Sequence, residues 1–267
     1  MREEQVYAYD NALAGQRERL RTLEALFDAG TIAELEARGI GRGWRCLEVG
    51  TGGGSIALWL ADRVGPDGVV VATDRDTTVL DGVSHPNLEV RVHDVLEDDL
   101  PEREFDVVHV RMVLAWLADR RTALRRLIGA LKPGGWLVAE ELDFASAVPD
   151  PHMGADLCAR FVRIVAAHHA VIADRHGFEP GYGRRVAGDL AAAGLMDAGC
   201  LGRASMWRGG QPGGEIWRLS LMQLREGIIA SGLMEAAEAD AAIELCADPR
   251  LSTLSPVMVT AWGRRPS

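Results

Sequence analysis

Apolar residues recur along this chain with two spacings, one near two and one near 3.6, and their succession predicts an order of strands and helices. Leu13, Leu20, Leu23 and Phe27 fall at helical intervals between charged positions, which predicts a helix over 11–38 that the glycines from Gly39 to Gly43 end. Leu47 and Val49 then alternate into Gly50, and Ile56 to Leu60 repeat with helical spacing, so a strand, a tight turn and a helix follow one another. Further strands are predicted at 69–73, 88–92 and 105–110. Over 120–131 the residues Ala123, Leu124, Leu127, Ile128 and Leu131 share one helix face and four arginines the other, a solvated face. Lys132-Pro133-Gly134-Gly135 stops that helix and starts a fifth strand ending at Ala139–Asp143.

The second half continues the alternation. Pro149-Asp150-Pro151 opens a long helix with Leu157, Phe161, Ile164, Val165, His168 and Ile172 on one face, closed at Gly177. A helix over 182–195, a sixth strand over 200–207, a loop over 208–214, a helical pair reaching Ala247 and a seventh strand over 256–262 complete the prediction. Strands alternating with helices make an α/β chain. No internal repeat or linker interrupts it, so the expected organisation is one domain over 1–267. Its core would span 44–143, 184–208 and 248–267, with lid helices from 1–43, 144–183 and 209–247.

Composition narrows the function. With 48% hydrophobic residues the chain can bury a sizeable core. A formal net charge of −10 lacks the general attraction for phosphate backbones that nucleic-acid binding draws on, so no nucleic-acid partner is expected. Cys46, Cys158, Cys200 and Cys246 lie far apart with no metal-ligand spacing, and read as buried free thiols of a reducing compartment; no metal is expected. A charged N-terminus and the lack of a membrane-length apolar run predict a cytoplasmic protein without a membrane partner, as monomer or homodimer.

The chemistry gathers around Cys46-Leu47-Glu48-Val49-Gly50-Thr51-Gly52-Gly53-Gly54-Ser55. Glycines there would let the backbone approach a ligand closely. A dinucleotide fingerprint needs its third glycine where Ser55 stands. Glu48, two residues before Gly50, repels a diphosphate and suits a cationic amino-acid ligand. This points away from a nicotinamide dinucleotide and towards S-adenosylmethionine, whose sulfonium and ammonium groups are positive. Asp74, at the end of the second strand, is placed to accept hydrogen bonds from a ribose.

The run Glu48 to Gly54 resembles the first motif of the class I S-adenosylmethionine-dependent methyltransferases of small-molecule type. Val69–Asp74, Phe105–Val110 and Leu131–Val138 match later motifs of that family in order, over roughly Trp44 to Asp143. The resemblance implies a doubly wound, Rossmann-like sheet of seven strands, the last antiparallel, with an interleaved helical lid. It also implies S-adenosylmethionine as cofactor, S-adenosylhomocysteine as product, and cofactor contacts from Glu48, Gly50, Thr51, Gly52, Ser55, Asp74, Arg75, Asp94, Val95 and Arg111. Family members often close an N-terminal helix over the cofactor, which brings in Tyr7 or Tyr9; either lines the site or packs the helix onto the core.

The acceptor is less legible. No [DN]-P-P-[YFW] tetrapeptide follows the fourth strand, which argues against adenine N6 or glutamine amide methylation. Where many small-molecule members read V-L-H-H-L, this chain has Ala115 and Trp116, so a histidine base is absent there. His168, His169 and Glu141 are the candidate bases, with the alternative that His168 is simply a core histidine. The expected function is methyl transfer to a small, partly hydrophobic metabolite, oxygen ahead of nitrogen or carbon. The alternative is a cyclase or binding protein that retains S-adenosylmethionine on the same fold.

Overall fold

The structure is a computed structural model that describes residues 8, 9, 15–176 and 178–267. In chain order it contains α1 (Gln16–Ala37), β1 (Arg45–Val49), α2 (Ser55–Val64), β2 (Val69–Asp74), β3 (Leu88–Val92) and β4 (Phe105–Arg111). There follow α3 (Arg120–Ala130), β5 (Leu131–Asp143), β6 (Val148–Pro149), α4 (Ala155–His176) and α5 (Gly183–Ala192). The last part contributes β7 (Met196–Arg203), β8 (Met206–Arg208), α6 (Pro212–Ala230), α7 (Ala236–Ala247), β9 (Ser252–Leu254) and β10 (Val257–Arg264). These elements divide into two compact units. The first unit takes Met1–Leu26, Asp143–Gly181 and Arg203–Val257; the second takes Phe27–Leu142, Tyr182–Gly202 and Met258–Ser267.

The second unit holds a seven-stranded sheet in the order β3-β2-β1-β4-β5-β10-β7. β2 and β4 flank β1 in parallel, and β3 and β5 add outside them, also in parallel. This is the doubly wound arrangement expected from the alternating pattern, with the strand order reversing between β1 and β4, where such sheets open a crevice for ligands. The strands are apolar because both faces are covered: Cys46, Leu47, Val70, Val107, Val108, Leu137 and Val138 are all buried. Ile56, Leu60 and Val64 of α2 pack one face, joined by Leu35 and Ile40.

The glycine turn between β1 and α2 needs glycine for reasons of its own. Gly50 takes φ +69°, and a Cβ there would lie 2.1 Å from Val113 Cγ2. Gly54, at φ +87°, opens α2 and would press Leu80. The crowding at position 50 therefore comes from the protein's own Val113, a constraint beyond the close ligand approach expected from the sequence.

The first unit differs from the expectation. The stretch read as one sixth strand over 200–207 is two: β7 ends at Arg203, and β8 joins β6 and β9 in a three-stranded antiparallel sheet. Ser205 and Ser255 exchange hydrogen bonds at the break, Ser255 N donating to Ser205 O at 2.9 Å. Strands of two and three residues are too short to show an alternation, which is why the pattern missed this sheet. Pro149 ends β6, Pro151–Met153 forms a short 3-10 turn, and α4 starts later, at Ala155. Phe161, Ile164, His168 and Ile172 do line its buried face. Cys46 and Cys246 are buried, but Cys200 is exposed and Cys158 half-buried, so only two thiols match the expectation.

Candidate functional site

At the carboxyl end of β2, Asp74 ties the glycine turn down. Its Oδ2 accepts from Gly52 N at 3.1 Å and its Oδ1 from Asp76 N at 3.3 Å. Gly50 N and Thr51 N both donate to Thr73 O, at 2.8 and 3.1 Å. Burial raises the Asp74 pKa, and the N–H groups of Gly52, Asp76 and Arg75 pull against it. At the end of β3, Asp94 Oδ1 accepts from Leu96 N at 2.8 Å, Arg75 Nε reaches Asp94 Oδ2 at 3.3 Å, and Val95 is buried. Ser55 is the first residue of α2. The strand order thus places Gly50, Thr51, Gly52, Ser55, Asp74, Arg75, Asp94 and Val95 at neighbouring strand ends. Tyr7 lies outside the described residues.

Two groups near these ends are buried without a partner among the described residues: Thr51 Oγ1, and both ring nitrogens of His93. Buried polar atoms are costly unless hydrogen-bonded, so orphans beside a glycine turn and a half-buried carboxylate suit a polar ligand with hydroxyls and ring nitrogens. His93 was not singled out in the sequence; its place directly before Asp94 was the available signal.

One layer below runs a buried row of charges. Glu48 stands opposite His109 in the β1–β4 register, and its Oε2 lies 2.6 Å from His109 Nδ1. His109 Nε2 lies 3.3 Å from Glu140 Oε2 on β5. Glu140 also accepts from Thr260 Oγ1 at 2.5 Å and from Thr31 Oγ1. Burial alone would lower the His109 pKa, but the charges and hydrogen bonds of Glu48 and Glu140 overcome it and raise it to about 9. Burial would raise Glu140; its bond to His109, the His109 and Arg111 charges and the Thr260 hydroxyl outweigh that and bring it to about 2. The row is therefore an imidazolium between two carboxylates. Arg111, expected at the cofactor, is engaged with α1: Nη2 pairs with Asp28 Oδ1 and Nη1 donates to Thr31 Oγ1, each at 2.9 Å.

Beyond Arg111 the chain turns sharply. Met112 takes φ +56°, a left-handed conformation that a side chain of its size rarely adopts. Val113 N and Leu114 N then donate to Glu141 Oε1 at 3.1 and 2.7 Å. Burial pushes the Glu141 pKa up to about 8 against the pull of the Leu114, Ala115 and Val113 N–H groups. Glu141 thus holds the turn that carries Ala115 and Trp116. Backbone strain of this kind clusters at functional sites, and here it sits at the end of a central strand.

The first unit brings His168 and His169 into an aromatic cluster. His168 is buried and its Nε2 lies 2.6 Å from Tyr9 Oη. The His168 ring centre is 5.2 Å from that of Trp217 and 5.5 Å from that of His169, and Phe144 packs beside all three. Burial, then the nearby His169 and Arg19, lower the His168 pKa well below the usual imidazole value. Burial likewise takes His169 to about 4 against the pull of Asp143. Both rings are neutral at ordinary pH and able to accept a proton.

Residues 47–139 match the family described as methyltransferase domain. Methyltransferase str2 of Strobilurus tenacellus is 31% identical over 144 residues, 54% of this chain and 52% of that protein. Methyltransferase str3 of the same organism is 28% identical over 158 residues, covering 59% and 54%. The chain thus spans about half the length of the curated relatives it matches. Among solved structures, phosphoethanolamine N-methyltransferase 2 of Haemonchus contortus, in complex with phosphomonomethylethanolamine and S-adenosylhomocysteine, shares the fold at a TM-score of 0.58 and 15% identity, over 98% of this chain and 61% of that one.

Proposed function

We propose that this chain, whose residues 47–139 match a methyltransferase domain, is a class I S-adenosylmethionine-dependent methyltransferase and transfers the methyl group of S-adenosylmethionine to a small, partly hydrophobic metabolite, with a hydroxyl as the preferred acceptor. The observation that carries the reading is the set of strand ends around the glycine turn: Asp74 half-buried, Asp94 on the next strand, and Thr51 and His93 with orphaned polar atoms. Those groups fit a ribose and an adenine as well as they would fit the corresponding half of a dinucleotide. What favours a sulfonium cofactor is the carboxylate of Glu48 before the turn and Ser55 where a dinucleotide site needs glycine.

In this reading Asp74 takes the ribose hydroxyls, Asp94 and the Val95 N–H take the adenine edge, and the N–H groups of the Gly50–Gly52 turn face the amino-acid end. When bound, the cofactor supplies an activated methyl on a positively charged sulfur. The protein's part is to align it with the acceptor and to take up a proton. Glu48, already paired with His109, sets the potential beneath the turn. For a hydroxyl acceptor the candidate bases are the neutral imidazoles of His168 and His169 and, above its raised pKa of about 8, the carboxylate of Glu141, which also holds the turn after β4.

The test is transfer of label from methyl-labelled S-adenosylmethionine to a panel of small hydroxylated acceptors, run with wild type and Asp74→Asn. Labelled product should form. Asparagine keeps an oxygen for Gly52 N but removes the charge, so cofactor affinity should fall about 5- to 150-fold, the scale of a lost charge-assisted hydrogen-bond pair. Cofactor binding without labelled product across the panel would favour the cofactor-retaining cyclase or binding protein. Unchanged affinity in the variant would mean another residue holds the ribose.

A further inference from the structure

The first unit contains a buried cation that has no counter-ion among the described residues. Arg19, in the first turn of α1, is 7% exposed. Its Nε donates to Ser220 Oγ at 3.1 Å and its guanidinium lies 3.6 Å above the Tyr9 ring, but it forms no ion pair with any described carboxylate. Its Nη1 is buried with no hydrogen-bond partner among the described residues. Burying a charge without a partner is expensive, so a guanidinium in this state is poised for an anion.

Among the described residues the same neighbourhood holds three more buried nitrogens without partners: His168 Nδ1, His169 Nε2 and Trp217 Nε1. Their rings are the ones packed within 5.2 and 5.5 Å of each other. Trp217 and Ser220 stand three residues apart on α6, on one helix face, and Ser220 is the residue that holds Arg19. Tyr9 closes the circuit, its ring under Arg19 and its hydroxyl on His168. Phe144 and Phe161 meet Trp217 edge-on and give the cluster apolar walls. One guanidinium and one indole N–H, both donors only, stand beside two neutral imidazoles that can accept.

We infer that the first unit binds a small molecule through a carboxylate carried on a planar apolar body, received by Arg19 Nη1 and the Trp217 indole N–H. The reasoning is one of balance. A single buried guanidinium neutralises one negative charge, which fits a carboxylate and leaves a phosphate dianion half-compensated. Flat aromatic walls suit a ring or a conjugated chain. The imidazole nitrogens of His168 and His169, not needed by the anion, remain for a hydroxyl on the same molecule. The site lies wholly within the first unit and stands apart from the transferase reading.

The test is calorimetric binding, which does not depend on turnover. The probes are benzoate, 2-hydroxybenzoate, 4-hydroxybenzoate, cinnamate and octanoate, each against its own amide, with inorganic phosphate as a further probe, all in the presence of saturating S-adenosylhomocysteine. At least one planar acid should bind about 10-fold or more tighter than its amide, the scale of a charge-assisted hydrogen bond. Arg19→Gln should shrink that preference to about 3-fold or less while S-adenosylhomocysteine still binds, and Arg19→Lys should restore part of it. Acids binding no better than amides, no carboxylate binding below 10 mM-scale concentrations (roughly the limit of a single weak contact), or phosphate binding in their place would overturn the inference. Should Arg19→Gln not fold, the comparison of acid with amide on wild type decides alone. S-adenosylhomocysteine binding with no acid preference rejects only this inference, whereas loss of S-adenosylhomocysteine binding by the wild type rejects the transferase reading itself.

Discussion

His109→Ala should lower the unfolding free energy by about 3–5 kcal/mol, the scale for stripping the counter-charge from buried carboxylates. Glu48 and Glu140 sit on either side of the ring, and all three side chains are buried. Removing the imidazolium leaves two carboxylates that water cannot reach. Urea denaturation at neutral pH measures the loss. The same variant carrying Glu48→Gln and Glu140→Gln should recover much of it, because no uncompensated charge then remains; a cavity effect alone would persist. A loss under about 1 kcal/mol for His109→Ala would mean the row carries no net charge pairing. The pH dependence has a defined sign. The folded His109 pKa, about 9, lies above its reference of 6.5, so its contribution is complete below 6.5 and disappears as pH rises through 9. The folded Glu140 pKa, about 2, lies below its reference of 4.5, so its contribution holds above 4.5 and is lost as pH falls through 2. Glu141, raised to about 8, adds an alkaline cost of its own, but that cost is common to wild type and variant and cancels in their difference. The gap between the two proteins should therefore close above pH 9.

With a hydroxyl acceptor, His168→Ala should reduce turnover by about 10²- to 10⁴-fold, the range a positioned general base supplies. His168 is favoured over His169 because its Nε2 is held by Tyr9 while Nδ1 is buried with no partner among the described residues, so one nitrogen is oriented and the other is left to take a proton. Cofactor affinity and melting temperature measured on the same samples separate a base from a structural residue. Tyr9→Phe, which loosens the ring without removing it, should lower kcat less and leave cofactor binding alone. The pH profile gives an independent readout. Burial keeps His168 neutral well below the usual imidazole range and His169 neutral to about 4, so turnover should stay flat as pH falls through 6.5. A loss of turnover centred near 6.5 would point to an ordinary exposed histidine. Near-native turnover in His168→Ala, His169→Ala and Glu141→Gln alike would leave alignment of an already ionised or carbon nucleophile as the better explanation.

The parts of the molecule that were legible are those where local chemistry repeats. Leu47 and Val49 running into Gly50, and Val69–Thr73 running into Asp74, announce a strand end and the residue beyond it, and the sheet places both where the spacing said. The charge row was not legible because its members are far apart in sequence: Glu48, His109 and Glu140 meet only once β4 lies between β1 and β5. A histidine within the apolar run Phe105–Val110 was the visible anomaly, and the family strand order would have paired it with Glu48. The partners of Arg111 were illegible for the same reason. Its position after a central strand suggests a ligand contact, and only the packing of α1 shows Asp28 and Thr31 taking it. The three-stranded sheet was hidden by its short strands, and Arg19 by lying in a helix whose other arginines face water. His168 on the apolar stripe of α4 was legible as a position; its Tyr9 partner was not, since 159 residues separate them.

Titration calorimetry of the wild-type chain with S-adenosylhomocysteine and with NADH addresses the reading of the glycine turn directly. Glu48 before the turn, Ser55 in place of a third fingerprint glycine, and Asp74 at the end of β2 predict saturable binding of one S-adenosylhomocysteine per chain, displaced by S-adenosylmethionine, and no binding of NADH. Saturable NADH binding with no response to S-adenosylhomocysteine would contradict it.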